Sequence, residues 1–117
     1  MNIEYYRDYC LLKPGVSEGF PFNGNTLVFK VMGKIFALTD VEKFDFINLK
    51  CDPEWAIELR EGNPGITPGY HMNKQQWNSV HTDGAVSDPL IMELIDHSYD
   101  LIAASLPKKL REELAGL

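Results

Sequence analysis

The sequence predicts an α+β domain: an antiparallel sheet of about five strands with N- and C-terminal helices packed on one face. Both ends of the chain carry apolar residues at the spacing of amphipathic helices, whereas the middle alternates apolar and polar residues in short runs between turn sequences. With 117 residues, 44% of them hydrophobic, and no linker or repeat, the chain has material for one core, which predicts a single domain over residues 1–117. The opposite face of the sheet is then left open.

The first half of the chain reads as one helix followed by four strands. The helix is predicted over residues 2–12 and ends at the Lys-Pro-Gly sequence that follows. The sequences Asn23-Gly24-Asn25 and Gly33-Lys34 predict turns, because glycine and asparagine tolerate positive φ. The strands between and after these turns are predicted over residues 16–22, 26–32, 35–39 and 45–51.

The second half begins with a helix, since Asp52 can cap an N-terminus and Pro53 suits the first helical position. That helix is predicted to end at Gly62. Residues 62–69 hold three glycines and two prolines, and we predict no regular element there. A last strand over residues 76–81 and a short helix over 107–116 flank a long helix capped by Ser87 or Asp88. The stripe that this long helix is predicted to bury comprises Leu90, Leu94, Leu101 and either Ile95 or Ile102.

The charge distribution restricts the partners. The net charge is −6, and residues 83–105 carry five acidic residues and no basic one. Binding of nucleic acid through bulk charge is excluded, because phosphate neutralisation requires a basic surface, although a local basic patch stays compatible with it. No stretch reaches the length of a membrane helix and no secretory signal pattern is present, so we expect a cytoplasmic protein without membrane contact. The two cysteines, Cys10 and Cys51, are expected to be buried thiols.

Four segments stand out in order along the chain and together span nearly the whole sequence. They are PFNGNTLVFKVMGKIFAL (Pro21 to Leu38), INLKCDPE (Ile47 to Glu54), PGYHMNKQQW (Pro68 to Trp77) and SYDLIAASLPKK (Ser98 to Lys109). In these segments the chain resembles the MmcQ/YjbR family. The resemblance implies a compact α+β domain of the CyaY type, the fold of bacterial frataxin homologues, in a double-wing arrangement. It also implies a DNA-binding role for the domain.

Double-stranded DNA is therefore one candidate partner, bound through the open face of the sheet. Trp77 or Tyr70 would stack on bases, and four lysines touching one phosphate each would give a salt slope of about −3.6. This is a weak electrostatic contribution that the net negative charge opposes. The alternative is that the lysines only solvate a sheet face or protect an edge. The four lysines are Lys30, Lys34, Lys50 and Lys74.

A protein or small-ligand partner is the rival hypothesis, with residues 62–77 as its site. Aromatic and polarizable side chains lie there beside a glycine-rich backbone, a composition that suits an interaction surface. The alternative is that the aromatic residues close the core. The residues of this candidate site are Tyr70, His71, Met72 and Trp77.

The sequence contains no recognised catalytic motif, and we expect no enzyme activity, no cofactor and no metal site. The best candidate for a nucleophile with a base is Cys51 with His71 or His81. However, a thiol at an inward strand position is usually inert. Ser98 and Tyr99 are expected to pack the long helix on the sheet, with their hydroxyls bonded to backbone. The oligomeric state stays open.

Overall fold

The computed structural model describes all 117 residues and confirms the α+β class, with six strands instead of about five. Four helices accompany the sheet, and no helix is long and apolar enough to cross a bilayer. The elements in chain order are α1 (Ile3–Leu11), β1 (Val16–Gly19), β2 (Thr26–Val31), β3 (Lys34–Asp40), β4 (Phe46–Lys50), α2 (Pro53–Gly62), β5 (Ile66–Pro68), β6 (Trp77–His81), α3 (Asp88–Ala104) and α4 (Lys108–Ala115).

All neighbouring strands are antiparallel, in the order β1-β2-β3-β4-β6-β5. The expectation of no regular element over residues 62–69 is wrong, because Ile66–Pro68 pair with β6 as β5. This strand lies at the edge of the sheet, where a proline needs no partner for the N–H that it lacks. An edge position therefore accommodates a segment that its glycines and prolines would exclude from the centre of a sheet.

The β2–β3 hairpin turns at Met32 and Gly33, both with positive φ, one residue earlier than predicted. Positive φ at both central residues is the signature of the tight turn that matches strand twist. The pairing then shifts, because Phe29 lies opposite Ala37 whereas Lys30 lies opposite Ile35. Phe36 is thus the extra residue of a β-bulge, and side-chain alternation along β3 is inverted before it.

Side-chain caps start α2 and α3 as predicted. The Asp52 carboxylate accepts a hydrogen bond of 3.1 Å from the backbone N–H of Trp55, and the Ser87 hydroxyl accepts one of 3.3 Å from Leu90. Ser87, and not Asp88, is therefore the cap of α3. Each cap satisfies one of the N–H groups that the first helical turn leaves without a partner.

Helices α1, α2 and α3 pack on one face of the sheet around a single apolar cluster that includes Tyr6, Phe29 and Ile47. The predicted stripe of α3 is partly wrong, since Leu90 and Leu101 are only half-buried. Successive side chains on a helix point in directions about 100° apart around the axis. A shift of the predicted stripe by one residue therefore changes which face of the helix is buried. The residues that α3 buries are Ile91, Leu94, Ile95, Ser98 and Ile102.

Candidate functional site

The face of the sheet opposite the helices is not a flat open surface. The strand register places Val28, Leu38, Asn48 and Ser79 in one row across its centre, and all four are buried. Asn48 points outward from the core, as the alternation of β4 predicts, and yet it is 6% exposed. Other parts of the chain must therefore cover this row.

Residues 69–76 form the cover over β4 and β6. The Asn48 amide donates to the Tyr70 carbonyl at 3.1 Å, and the backbone N–H of Tyr70 donates to the Ser79 hydroxyl at 2.9 Å. That hydroxyl donates in turn to Asn48 Oδ1 at 2.6 Å. The three hydrogen bonds satisfy the buried polar groups and fix the loop over one half of the face.

The other half of the face is a groove of about 610 Å³, which we call the open-face groove. Leu38 and Asn48 line its floor, while Phe22 on one side and Tyr70 on the other are 64% and 59% exposed. Large apolar side chains exposed around one concavity are typical of an interaction site. The complete lining is Phe22, Asn23, Thr26, Leu38, Thr39, Asp40, Lys43, Asp45, Phe46, Asn48, Tyr70, His71 and Met72.

Aromatic rings form a corner in this groove. The rings of Phe46 and Tyr70 are nearly perpendicular, at 82°, with centroids 5.8 Å apart, and the His71 ring lies 4.0 Å from that of Tyr70. His71 has φ of +58°, a left-handed conformation that non-glycine residues seldom adopt. The sequence analysis predicted a partner site of Tyr70, His71, Met72 and Trp77; the first three line the groove, whereas Trp77 is not part of its lining.

Phe22 and Phe46 were not among the predicted site residues, although the outward position of Phe46 in β4 was a usable signal. The acidic residues of the groove were missed as well. The Asp40 carboxylate accepts hydrogen bonds from the backbone N–H groups of Glu42 and Lys43, which builds the turn after β3. The Asp45 carboxylate has no basic group within 4.0 Å, and it also lines a polar cleft of about 540 Å³ beside the groove.

The predicted DNA-contacting lysines do not form one cluster. Lys30 and Lys50 both lie on the open face, Lys30 opposite Ile35 of β3 and Lys50 opposite Trp77 of β6. The bulge turns Lys34 to the helix-covered face of the sheet, where its ammonium donates to the Ser105 hydroxyl at the end of α3 at 2.7 Å. The fourth lysine is tied to its own loop, because the Lys74 ammonium donates to the Gly69 carbonyl at 3.0 Å. Whether any of them contacts DNA stays a prediction.

The groups considered for catalysis lie on different faces. Cys51 belongs to the core cluster, and burial raises the pKa of its thiol to about 11. His71 lies in the groove across the sheet, and His81 lies opposite Phe46 on that same face. The third histidine, His97, accepts a hydrogen bond from the backbone N–H of Asp52 at 3.1 Å. No group of three or more histidine, cysteine, aspartate or glutamate side chains is arranged to hold a metal ion.

Comparison with known proteins places this architecture in a defined group. The YjbR family model matches residues 11–101. The uncharacterized protein YjbR of Escherichia coli K12 is 33% identical over the full length of both chains. The uncharacterized protein YbdF of Escherichia coli O157:H7 is 40% identical over 82% of this chain and 80% of its own. The crystal structure of DR2400 from Deinococcus radiodurans, with a DUF419 domain, superimposes with a TM-score of 0.91 at 40% identity, over 97% of this chain and 88% of that chain.

Proposed function

This chain belongs to the YjbR family, and we propose that it acts as a small, non-enzymatic binding module whose ligand occupies the open-face groove. One observation carries the proposal. A groove of about 610 Å³, within the range of small-molecule sites, lies on the face that no helix covers and presents exposed Phe22 and Tyr70 to solvent. Burial of these rings by a ligand would remove apolar surface from water, which is the main source of binding free energy.

The absence of enzymatic chemistry is part of the proposal. A nucleophile needs a base within hydrogen-bond reach, and the Cys51 thiol lies on the helix side of the sheet whereas His71 lies on the other. Burial raises the pKa of Cys51 and Cys10 to about 11 and about 12, so both thiols stay protonated and weakly nucleophilic at neutral pH. A binding role requires neither group.

The test is a screen of small organic fragments against ¹⁵N-labelled protein, read out as amide chemical-shift changes. We expect the fragments that bind to shift Phe46, Tyr70, His71 and Met72, and we expect Tyr70→Ala to abolish those shifts. Tyr5→Ala is the matched control, because Tyr5 is another aromatic residue, 49% exposed, on α1. Fragment shifts that persist in the Tyr70→Ala protein, or that map only to the helices, would contradict the proposal.

Double-stranded DNA remains a second candidate because Lys30, Lys50 and Trp77 share the open face. Two phosphate contacts reduce the expected salt slope from about −3.6 to about −1.8, since each neutralised phosphate contributes about −0.9. The acidic residues Asp40 and Asp45 at the other end of the face oppose a long anionic ligand. The groove therefore supports the small-ligand function better than DNA.

Fluorescence anisotropy with a labelled duplex at low salt tests the DNA function. We expect weak binding that the double variant Lys30→Ala/Lys50→Ala reduces further. The double variant Lys108→Ala/Lys109→Ala removes the same charge from exposed positions on α4 and serves as the control. Equal affinity of the two variants would reject the open face as a DNA-contacting surface.

A further inference from the structure

We propose that the ligand of the open-face groove is a small organic cation, an alkylated ammonium, which packs against the aromatic corner of Phe46 and Tyr70 and faces the Asp45 carboxylate. The inference rests on the proposed function, because it names the chemical class of ligand for that same groove. Three features carry it: the arrangement of the rings, the charge of the lining and the lack of a protein partner for Asp45.

The aromatic corner suits a cation. Aromatic faces carry negative electrostatic potential, so a cation within about 6 Å of a ring centroid is attracted to the face. The perpendicular rings of Phe46 and Tyr70 form two walls, and Phe22 lines the same groove. An alkylated ammonium gains from such walls twice, because its methyl groups bury apolar ring surface while its charge meets the ring potential.

The charge of the lining has the matching sign. Two carboxylates, Asp40 and Asp45, and one ammonium, Lys43, leave the groove with a net charge of −1. Asp40 is engaged by the backbone of its own turn, whereas Asp45 has no basic group within 4.0 Å. Asp45 is thus placed to attract a positively charged ligand. For an anionic ligand, the groove lining offers one cationic group, the exposed Lys43, and its two carboxylates would repel the ligand.

The experiment compares three probes of one shape: choline, its neutral isostere 3,3-dimethylbutanol, and the anion 3,3-dimethylbutanoate. Each is titrated at constant ionic strength into ¹⁵N-labelled protein, and the amide shifts of Phe46, Tyr70 and His71 are followed. We expect choline to saturate these shifts with an affinity about fivefold higher than that of the neutral isostere, the ratio that ~1 kcal/mol of cation–π attraction gives. The anion should bind more weakly than either.

Asp45→Asn tests the carboxylate directly. The variant removes the charge of this exposed side chain but keeps its shape. We expect the affinity for choline to fall about threefold, the size of effect typical of a solvent-exposed charge pair. The affinity for the neutral isostere should stay unchanged. Glu42→Gln makes the same change of charge outside the groove lining and should have a smaller effect. An equal loss of choline affinity in both variants would overturn the assignment to Asp45.

The outcomes separate the two proposals. Equal affinity for choline and its neutral isostere would overturn the cation preference and leave the groove as a site for apolar ligands. Groove shifts with other fragments but with none of the three probes would also overturn the cation preference. If no compound of any kind shifts the groove residues, the proposed function itself fails.

Discussion

The hydroxyl of Ser98, in the middle of α3, donates a hydrogen bond of 2.5 Å to the backbone carbonyl of Phe36, the bulged residue of β3. The same hydroxyl accepts a hydrogen bond of 2.9 Å from the backbone N–H of Lys50. Pairing between β3 and β4 ends at Ala37 and Leu49, so Lys50 has no partner residue on β3. Ser98 is fully buried and takes the place of the missing ladder partner for both backbone groups.

Ser98→Ala should destabilise the protein by about 2 kcal/mol, because it leaves a buried carbonyl and a buried N–H without a partner. Urea unfolding followed by circular dichroism measures this change in the free energy of unfolding. Ser105→Ala is the control, since Ser105 is exposed at the end of the same helix and should cost less than about 1 kcal/mol. An unfolding free energy of the Ser98→Ala protein equal to that of the unmodified protein would show that the bridge adds nothing to stability.

Tyr99→Phe should cost about 1 kcal/mol of stability, the typical net value of one hydrogen bond. The Tyr99 hydroxyl donates to the Pro14 carbonyl at 2.6 Å, and the edge-to-face contact of its ring with Phe36 is kept in the variant. Tyr5→Phe removes only a 3.7 Å contact with the Met92 sulfur and should be nearly neutral. Thermal unfolding compares the two, and a neutral Tyr99→Phe would contradict the expectation.

The free energy of unfolding should fall in alkaline solution, because the Cys10 thiol ionises at lower pH in the unfolded chain than in the folded protein. Burial raises the pKa of this thiol from its ordinary value of 9.0 to about 12. The unfolded chain releases the proton first as pH rises, so the stability that the neutral thiol contributes is complete below about pH 9 and is lost between about pH 9 and 12. Over that range Cys10 adds a slope of up to ~1.4 kcal/mol per pH unit.

Urea unfolding at a series of pH values measures that slope. Cys10→Ala removes one ionising group and should reduce the slope, whatever the stability of the variant at neutral pH; the slope that is left includes the contribution of Cys51, whose thiol pKa burial raises to about 11. Tyr9→Phe is a useful comparison, because burial followed by the Asp96 hydrogen bond raises the pKa of Tyr9 to about 12 as well. An unchanged slope in the Cys10→Ala protein would mean that other groups cause the alkaline loss.

Gly69→Ala should distort the wall of the open-face groove. A methyl group at this position would lie 2.8 Å from Trp77 Cβ and 2.9 Å from the Trp77 carbonyl oxygen, closer than side chains pack, so the backbone must shift. We expect amide-shift changes at Tyr70 and His71 and a loss of stability of about 1–3 kcal/mol, the usual cost of overpacking.

Gly19→Ala is the control for that variant, because nothing lies within 4 Å of the added methyl group. It should leave both the groove amides and the unfolding free energy nearly unchanged. If Gly69→Ala behaves like Gly19→Ala, residue 69 does not hold the loop in place.

The predicted elements that the structure confirms are those whose determinants lie close together in the chain. The predicted inward position of Cys51 is confirmed by its place in the core, and the helix caps followed from single side chains and their immediate neighbours. The predicted bonding of the Ser98 and Tyr99 hydroxyls to backbone is confirmed as well. The edge strand β5 was missed because the glycine and proline content of a segment indicates only its own conformational preference. It does not indicate whether another strand is available to pair with it.

The candidate site depended on contacts between distant segments. Sequence alone singled out three groove residues, Tyr70, His71 and Met72, but the hydrogen bond that holds this loop over β4 joins Tyr70 to Asn48, 22 residues earlier in the chain. The acidic residues of the groove gave no signal in the sequence, since Asp40 and Asp45 flank an ordinary turn.

The sequence by itself determined the fold class and the positions of most helices and strands, because local periodicity and capping specify these features, and the resemblance of four segments indicated the family. The tertiary structure alone decided which side chains share a surface. A one-residue bulge at Phe36 inverts the alternation before it and removes Lys34 from the face that holds Lys30 and Lys50. Only the folding of residues 69–76 over the sheet converted an open face into a groove with aromatic walls, because hydrogen bonds and packing across the sheet hold that loop in place.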